Sequence, residues 1–197
     1  MSILVSRKPT IVDAFISRSL AADIVLIASG AVLTAAAAQI TIPMWPVPIT
    51  GQTFAVLLTG AALGTARGAL SMLLYVLLGA IGLPVFAGAK AGIAFGPTLG
   101  YLAGFIAAAA IVGFFAERKI GRTPFVVALG FIAGNAAIYA FGLPWLSYFL
   151  GSVGYPNDLA ATFAAGLNPF IVGDAVKILL ASALLPVSWV LVKRLKK

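Results

Sequence analysis

The sequence contains neither cysteine nor histidine. Without cysteine the chain has no disulfide, no thiolate metal site and no cysteine nucleophile. Without histidine it lacks the commonest metal ligand, general base and proton shuttle at neutral pH. These two absences argue against an intramembrane metalloprotease and against any histidine-dependent enzyme, and we expect no cofactor.

Charge is also scarce. Charged residues make up 9% of the 197 residues and hydrophobic residues 62%, whereas a soluble domain carries about 25% charged residues. The chain cannot cover a globular surface with polar groups, so a lipid bilayer must be its solvent. The first apolar stretch is long enough to remain a membrane span, so we expect no removable signal peptide.

Six apolar stretches follow one another along the chain. They cover about 20–40, 52–63, 69–81, 98–116, 125–150 and 168–192. The pattern predicts an all-α integral membrane protein in which 1–197 form one domain of six transmembrane helices. The second and third stretches fall below the usual minimum of ~17 residues for a span. Residues 64–68 are expected to form a tight turn between them, and Pro186 a kink in the last helix.

The basic residues indicate the orientation. With six spans both termini share a side, and that side collects Arg7, Lys8, Arg18, Arg67, Arg118, Lys119, Arg122, Lys193, Arg194, Lys196 and Lys197. The opposite side collects only Lys90. Because lysine and arginine accumulate on the cytoplasmic side, both termini, including the 1–18 segment, are predicted to be cytoplasmic. The basic residues then set topology, with contact to anionic lipid, and we expect no nucleic-acid partner.

The connections on the two predicted sides differ. The cytoplasmic ones are short and charged, whereas the outer ones are long and rich in proline, glycine and aromatic residues, including 151–168, predicted to lack helix. Long connections of this kind are usually functional. A ligand cavity open to the outside and roofed by these loops is therefore expected.

Asp174 and Lys177 are two charges inside the sixth apolar stretch. Residues three apart share a helix face, so each offsets the cost of burying the other. One interpretation is a structural salt bridge. The other is a ligand site, in which the ammonium donates and the carboxylate accepts hydrogen bonds.

Other candidates lie at the predicted outer side. Gln52 begins the second helix, where it either caps the helix or binds ligand, and Lys90 is either solvated or holds a carboxylate. Gly88, Gly92, Gly96, Gly100 and Gly104 recur every four residues. We expect the first three in a loop and the last two in helix packing.

Polar and small residues inside helices complete the candidates. Tyr101, Asn135 and Tyr139 are predicted to line the cavity or to bond neighbouring helices, because an unpaired amide in an apolar interior is costly. Trp145 and Trp189 suit packing. A face of small residues on the first helix, including Ala28, Ala31 and Ala35, serves either internal packing or docking of a partner protein.

Three motifs carry a family resemblance: PVPITGQT, the run GLPVFAG…G…GPTLGY, and PFIVGDAVK. Together they resemble the BioY family, the biotin-specific S components of energy-coupling factor (ECF) vitamin transporters. The resemblance covers nearly the whole chain, with the motifs in the family's order and spacing.

This resemblance implies a six-helix protein of a prokaryotic plasma membrane that binds biotin from outside. The matching site positions are Gln52, Tyr101, Asp174 and Lys177, and Phe86 is expected to cover the rings of biotin. The implied partners are a transmembrane coupling subunit and two cytoplasmic ATPases, with docking on small residues of the first helix. The chain itself has no nucleotide-binding motif.

Three alternatives stay open at this point. The first is an S component for another vitamin such as riboflavin or thiamin. The second is a solitary ion-coupled carrier, and the third is an intramembrane enzyme that uses Asp174 as an acid or base. The last lacks a partner histidine, cysteine or second inward carboxylate.

Overall fold

The computed structural model describes residues 10–17, 19–92, 96–118 and 123–195, which are mostly helical. The α-helices are α1 (Leu20–Gln39), α2 (Gln52–Leu63), α3 (Thr65–Ala80), α4 (Leu99–Glu117), α5 (Pro124–Ser152), α6 (Leu159–Gly166) and α7 (Asn168–Leu195). A 3-10 turn, Val12–Ala14, precedes them. Strands β1 (Thr41–Ile42) and β2 (Ile49–Thr50) form a short antiparallel hairpin between α1 and α2.

Three described helices, α1, α4 and α5, are long and apolar enough to cross a bilayer, and the bent pair of α6 and α7 would make a fourth. Helices α2 and α3 have 12 and 16 residues. At 1.5 Å per residue they are short for a hydrocarbon core of about 30 Å. The mostly helical character is therefore confirmed, while the count of six crossings stays a prediction.

The break between α2 and α3 is a single residue, Gly64, whose φ of 87° favours glycine. Helix α3 begins at Thr65, where the Glu117 carboxylate accepts hydrogen bonds from the Thr65 backbone N–H (2.8 Å) and hydroxyl (3.1 Å). The expected turn over 64–68 was therefore wrong. Arg67 lies inside the first turn of α3 and points into the bundle.

The connection over 151–168, expected to lack helix, contains α6. Asp158 caps it by accepting a hydrogen bond from the Ala161 N–H at 2.9 Å. Helix α6 meets α7 at an angle of 45°. Helix α7 is continuous through Pro186, and the kink expected there stays a prediction.

Glycine brings α2, α3 and α4 into backbone contact. A Cβ at Gly60 would lie 2.5 Å from the Ala109 carbonyl oxygen, and one at Gly113 would meet the backbone of Gly64. Gly100 and Gly104 of α4 likewise lie against α5, which is the packing that the glycine spacing predicts. Close backbone approach of this kind is typical of helices in lipid.

A buried ionic cluster closes one end of the bundle. The Arg67 guanidinium bonds Asp13 Oδ1 at 2.7 Å and Asp23 Oδ1 at 3.0 Å, and Arg67 is 2% exposed. Asp13 also accepts hydrogen bonds from the Thr10 N–H and hydroxyl. The cluster ties the segment before α1 to α1 and α3.

The small residues of α1 face the bundle in part. Ala31 is 1% exposed and belongs to the core, which favours the internal-packing interpretation for that residue, while its role in docking stays a prediction. Ala28 and Ala35 are half-buried. A Cβ on nearby Gly30 would clash with Thr59 of α2 and Ser71 of α3, which indicates internal packing.

Several basic residues used for the predicted orientation lie outside the described residues: Arg7, Lys8, Arg18, Lys119, Arg122, Lys196 and Lys197. The side chains of Trp189, Lys193 and Arg194 are also outside the described part of the structure.

Candidate ligand-binding site

A cavity of about 380 Å³ lies at the end of the bundle opposite the Arg67 cluster. The β-hairpin and the 82–92 loop wall it on one side, and α4, α5 and α7 on the other. Its volume is in the range of about 300–1,000 Å³ typical of small-molecule sites. It brings together most of the predicted site residues: Gln52, Phe86, Lys90, Tyr101, Tyr139 and Lys177.

The Asp174/Lys177 pair forms one wall. Lys177 Nζ lies 3.3 Å from Asp174 Oδ1, and it also donates to Thr53 Oγ1 (2.5 Å) and to the Thr50 carbonyl (3.3 Å). Tyr139 of α5 donates its hydroxyl proton to Asp174 Oδ2. Lys177 lines the cavity, while Asp174 is 6% exposed and lies directly behind Lys177 and Tyr139.

Gln52 is held from both ends of its amide. Its Oε1 accepts from Thr50 Oγ1 at 2.8 Å, and its Nε2 donates to the Tyr75 hydroxyl at 2.6 Å. Tyr75 is fully buried and donates to the Val85 carbonyl at 3.2 Å. Sequence reasoning missed Tyr75, because a tyrosine in the apolar run of α3 carries no local signal of a distant partner.

The 82–92 loop presents Phe86 and Lys90 from a tight turn. The Phe86 N–H donates to the Lys90 carbonyl at 3.0 Å. Gln39, at the end of α1, holds this turn with two hydrogen bonds. Its side chain donates to the Phe86 carbonyl (3.3 Å) and accepts from the Ala89 N–H (3.0 Å). The Phe86 ring packs over Gly79, where any side chain would occupy its place.

The opposite wall is mainly aromatic. Tyr101 of α4 packs edge-on to Tyr139 with ring centroids 6.4 Å apart, and it donates to the Gly166 carbonyl at 2.9 Å. Trp145 of α5 donates its indole N–H to the Gly96 carbonyl at 2.8 Å. Trp145 therefore fixes the loop before α4 in addition to packing.

Asn135, like Asp174, is a predicted site residue that does not line the cavity. It lies one helical turn before Tyr139 on α5 and is 6% exposed. Neither of its amide atoms has a hydrogen-bond partner among the described residues. Asn135 does not line the cavity, although Tyr139 on the same helix does.

The cavity is suited to a ligand that is part apolar and part polar. Phe86, Phe105 and Phe170 offer apolar surface, while Gln52 and Lys177 offer hydrogen bonds. Lys90 has no acidic partner within the described residues, whereas Lys177 is paired with Asp174. An anionic group on a ligand would therefore meet its uncompensated charge at Lys90. The described residues hold no cluster suited to a metal ion.

The apolar helices and the loop-roofed cavity define a multi-pass membrane protein that binds a small molecule. Residues 8–194 match the sequence profile of the BioY family, and the chain belongs to that family.

Two relatives show the extent of the similarity. The chain is 42% identical to a biotin transporter BioY of Thermotoga maritima over 74% of this chain and 82% of that protein. It is 40% identical to a probable biotin transporter BioY of Pyrococcus horikoshii over 80% of this chain and 90% of that protein. These relatives are transporters rather than enzymes.

The fold is similar to the crystal structure of the S-component for biotin from an ECF-type ABC transporter. The TM-score is 0.69 with 25% sequence identity, covering 92% of this chain and 94% of the solved one.

Proposed function

We propose that this protein captures biotin and delivers it inward as the substrate-binding subunit of an ATP-driven ECF transporter. The observation that carries the proposal is the cavity itself, which combines an apolar interior with Gln52, Lys90 and Lys177 at its walls. Biotin has a matching division into a ureido ring, an apolar ring and chain, and a terminal carboxylate. The family and the names of the relatives support the same ligand.

The polar wall is assigned to the ureido ring, which has two N–H donors and one carbonyl acceptor. Lys177 exchanges one of its three protein acceptors for the ureido carbonyl, and Gln52 pairs with the ring edge. Asp174 orients Lys177 and Tyr139 from behind, and either accepts an N–H directly or acts through Tyr139. This leaves Asn135 without a direct ligand contact.

The remainder of the cavity is assigned to the rest of the ligand. Lys90 holds the carboxylate, because it is the described cation at the cavity without an acidic partner. Phe86 covers the rings, and Tyr101 packs beside them. A carboxylate hydrogen-bonded to an ammonium gains about twice the strength of a neutral hydrogen bond.

The proposed topology has six crossings in a single domain over 1–197, with both termini cytoplasmic and the cavity open outward, in a prokaryotic plasma membrane. Arg67 and Arg118 lie at the end away from the cavity, and Lys90 lies beside it. This asymmetry supports the orientation through the positive-inside rule.

The proposed partners are a transmembrane coupling subunit and two cytoplasmic ATPases. ATP-driven movement of the coupling subunit reorients this protein and releases biotin inside. Ala28, Ala31 and Ala35 are the candidate docking positions on α1, and the half-buried Ala28 and Ala35 are the more accessible of the three.

The test begins with mass spectrometry of small molecules that co-purify with the detergent-solubilised protein. Calorimetry with biotin, riboflavin and thiamin then measures selectivity, and biotin alone is expected to bind. Uptake of labelled biotin by cells with and without the coupling subunit separates ECF-driven from solitary transport. Binding of riboflavin or thiamin in preference to biotin contradicts the proposal.

A further inference from the structure

The two loops beside the cavity belong to different parts of the chain. The β-hairpin joins α1 to α2, and the 82–92 loop follows α3. Val47 of the hairpin and Ala87 of the 82–92 loop both line the cavity. For biotin to enter and be retained, both loops must take up compatible positions.

One side chain connects these loops. The Tyr75 hydroxyl donates to the Val85 carbonyl of the 82–92 loop (3.2 Å) and accepts from Gln52 Nε2 (2.6 Å). Gln52 Oε1 in turn accepts from Thr50 Oγ1, at the end of the hairpin. The Thr50 carbonyl accepts from Lys177 Nζ, so the connection reaches the polar wall of the cavity.

The environment of Tyr75 makes this connection rigid. Tyr75 is 0% exposed, and the Phe86 ring packs against it edge-on with centroids 5.5 Å apart. A buried hydrogen bond that loses one partner costs the desolvation of the group left unpaired. Opening the 82–92 loop removes the Val85 acceptor of the Tyr75 hydroxyl, and opening the hairpin with Gln52 removes its donor. Either motion therefore leaves the same buried hydroxyl without one of its partners.

We propose that Tyr75 is a positioning residue that couples the β-hairpin to the 82–92 loop, so that the two loops open and close together. The inference rests on the proposed function, since it assigns Tyr75 a role in retaining biotin without touching it. Gln39 provides the contrast, because its side chain clasps the 82–92 loop without a hydrogen bond to the hairpin in the described structure.

The absence of cysteine allows a direct test on the full-length purified protein. Val47→Cys and Ala87→Cys each place one thiol at a cavity wall, one reporter per loop. The rate of maleimide labelling without biotin measures how often each loop opens. Tyr75→Phe is expected to raise both rates about tenfold and to weaken biotin binding about tenfold. Gln39→Leu loosens only the 82–92 loop, so with Tyr75 present it should raise both rates, and in the Tyr75→Phe background it should raise only the rate at Ala87→Cys.

Ser71→Ala is the matched control. It removes another hydrogen bond of a fully buried residue on the same helix, from the Ser71 hydroxyl to the Arg67 carbonyl (2.8 Å). It is expected to leave both labelling rates and biotin affinity unchanged. A Tyr75→Phe protein in which only one reporter, or neither, labels faster overturns the coupling, as does a Ser71→Ala protein that behaves like Tyr75→Phe.

If Tyr75→Phe does not yield folded, monodisperse protein, Gln52→Met breaks the same connection from the other side. It is expected to speed labelling at Val47→Cys and to leave Ala87→Cys unchanged, because Tyr75 still holds Val85. Equal rates at Val47→Cys with and without Gln52→Met overturn the proposal. Since labelling is measured without biotin, loop coupling and biotin binding succeed or fail independently.

Discussion

Each end of the bundle buries a basic residue beside a carboxylate, but only one end has a cavity next to that pair. At the Arg67 end one guanidinium bonds Asp13 and Asp23, and the nearby Glu117 caps α3. The described void there is only about 20 Å³ and is lined by apolar side chains. At the cavity end Lys177 has one carboxylate partner, and about 380 Å³ of space lies beside it.

A buried charge pair in a membrane protein is therefore not by itself a binding site. At the Arg67 end the guanidinium and both carboxylates bond one another, and the void described there is too small for a ligand. At the cavity end Lys177 is likewise bonded within the protein, but Lys90 has no acidic partner among the described residues and lies beside the open space. A lysine without an acidic partner next to a void of ligand size, rather than burial, distinguishes the two ends.

The largest effect is expected at the Arg67 end and on stability alone. Arg67→Met leaves Asp13 and Asp23 buried without their guanidinium, which costs about 3–5 kcal/mol. Thermal unfolding in detergent measures this loss, with Arg67→Lys as an intermediate case. Calorimetry on the folded protein should give a biotin affinity within about twofold of the parent, a margin of ~0.4 kcal/mol. A large loss of biotin affinity without a loss of stability would contradict a purely structural role for the Arg67 cluster.

The next effect is expected at the polar wall and on affinity. Lys177→Met removes a charged donor and leaves Asp174 without its ammonium partner. Biotin binding should weaken about 100-fold, or ~2.7 kcal/mol, as for a lost charged hydrogen bond. Calorimetry measures it, with Arg118→Met at the opposite end as the charge-matched control. If the biotin affinity of Lys177→Met is unchanged, the Asp174/Lys177 pair is a structural salt bridge and not part of the binding site.

The smallest effect sharpens the assignment of the carboxylate. Lys90 is exposed, so Lys90→Met should weaken biotin binding only about fivefold, or ~1 kcal/mol. Biotinamide, which lacks the carboxylate, should bind parent and variant equally, and added salt should shrink the difference for biotin. Equal losses for both ligands would place the carboxylate elsewhere.

Much of the fold follows from local sequence. Apolar stretches predict α1, α4, α5 and α7 to within a few residues, because in lipid every backbone group must be paired within the segment. The start of α3 was missed for two reasons. Gly64 alone is enough to separate α2 from α3, and Glu117, which caps α3, lies 52 residues from Thr65. Helix α6 was missed because eight residues leave too little periodicity, although Asp158 is a recognisable N-cap.

The candidate site was predictable as a set of residue types more than as an arrangement. The spacing of Asp174 and Lys177 gives their shared face, and the structure pairs them. Tyr139 lines the cavity and Asn135 does not. This difference depends on how the helices pack, so it could not be predicted from either residue or its neighbours in sequence. Arg67 was interpreted as a topology signal because its partner Asp13 is 54 residues away.

The glycine contacts among α2, α3 and α4 have a mechanical consequence. Sliding between helices normally proceeds by small adjustments of interlocked side chains. Where Gly60 lies against Ala109 and Gly113 against Gly64, main chain rests on main chain, and there are few rotamers to adjust. Gly104 lies against the Ile138 backbone in the same way, so we expect α2, α3, α4 and α5 to move as one rigid unit. The flexibility that transport requires then belongs to the loops, α6 and α7.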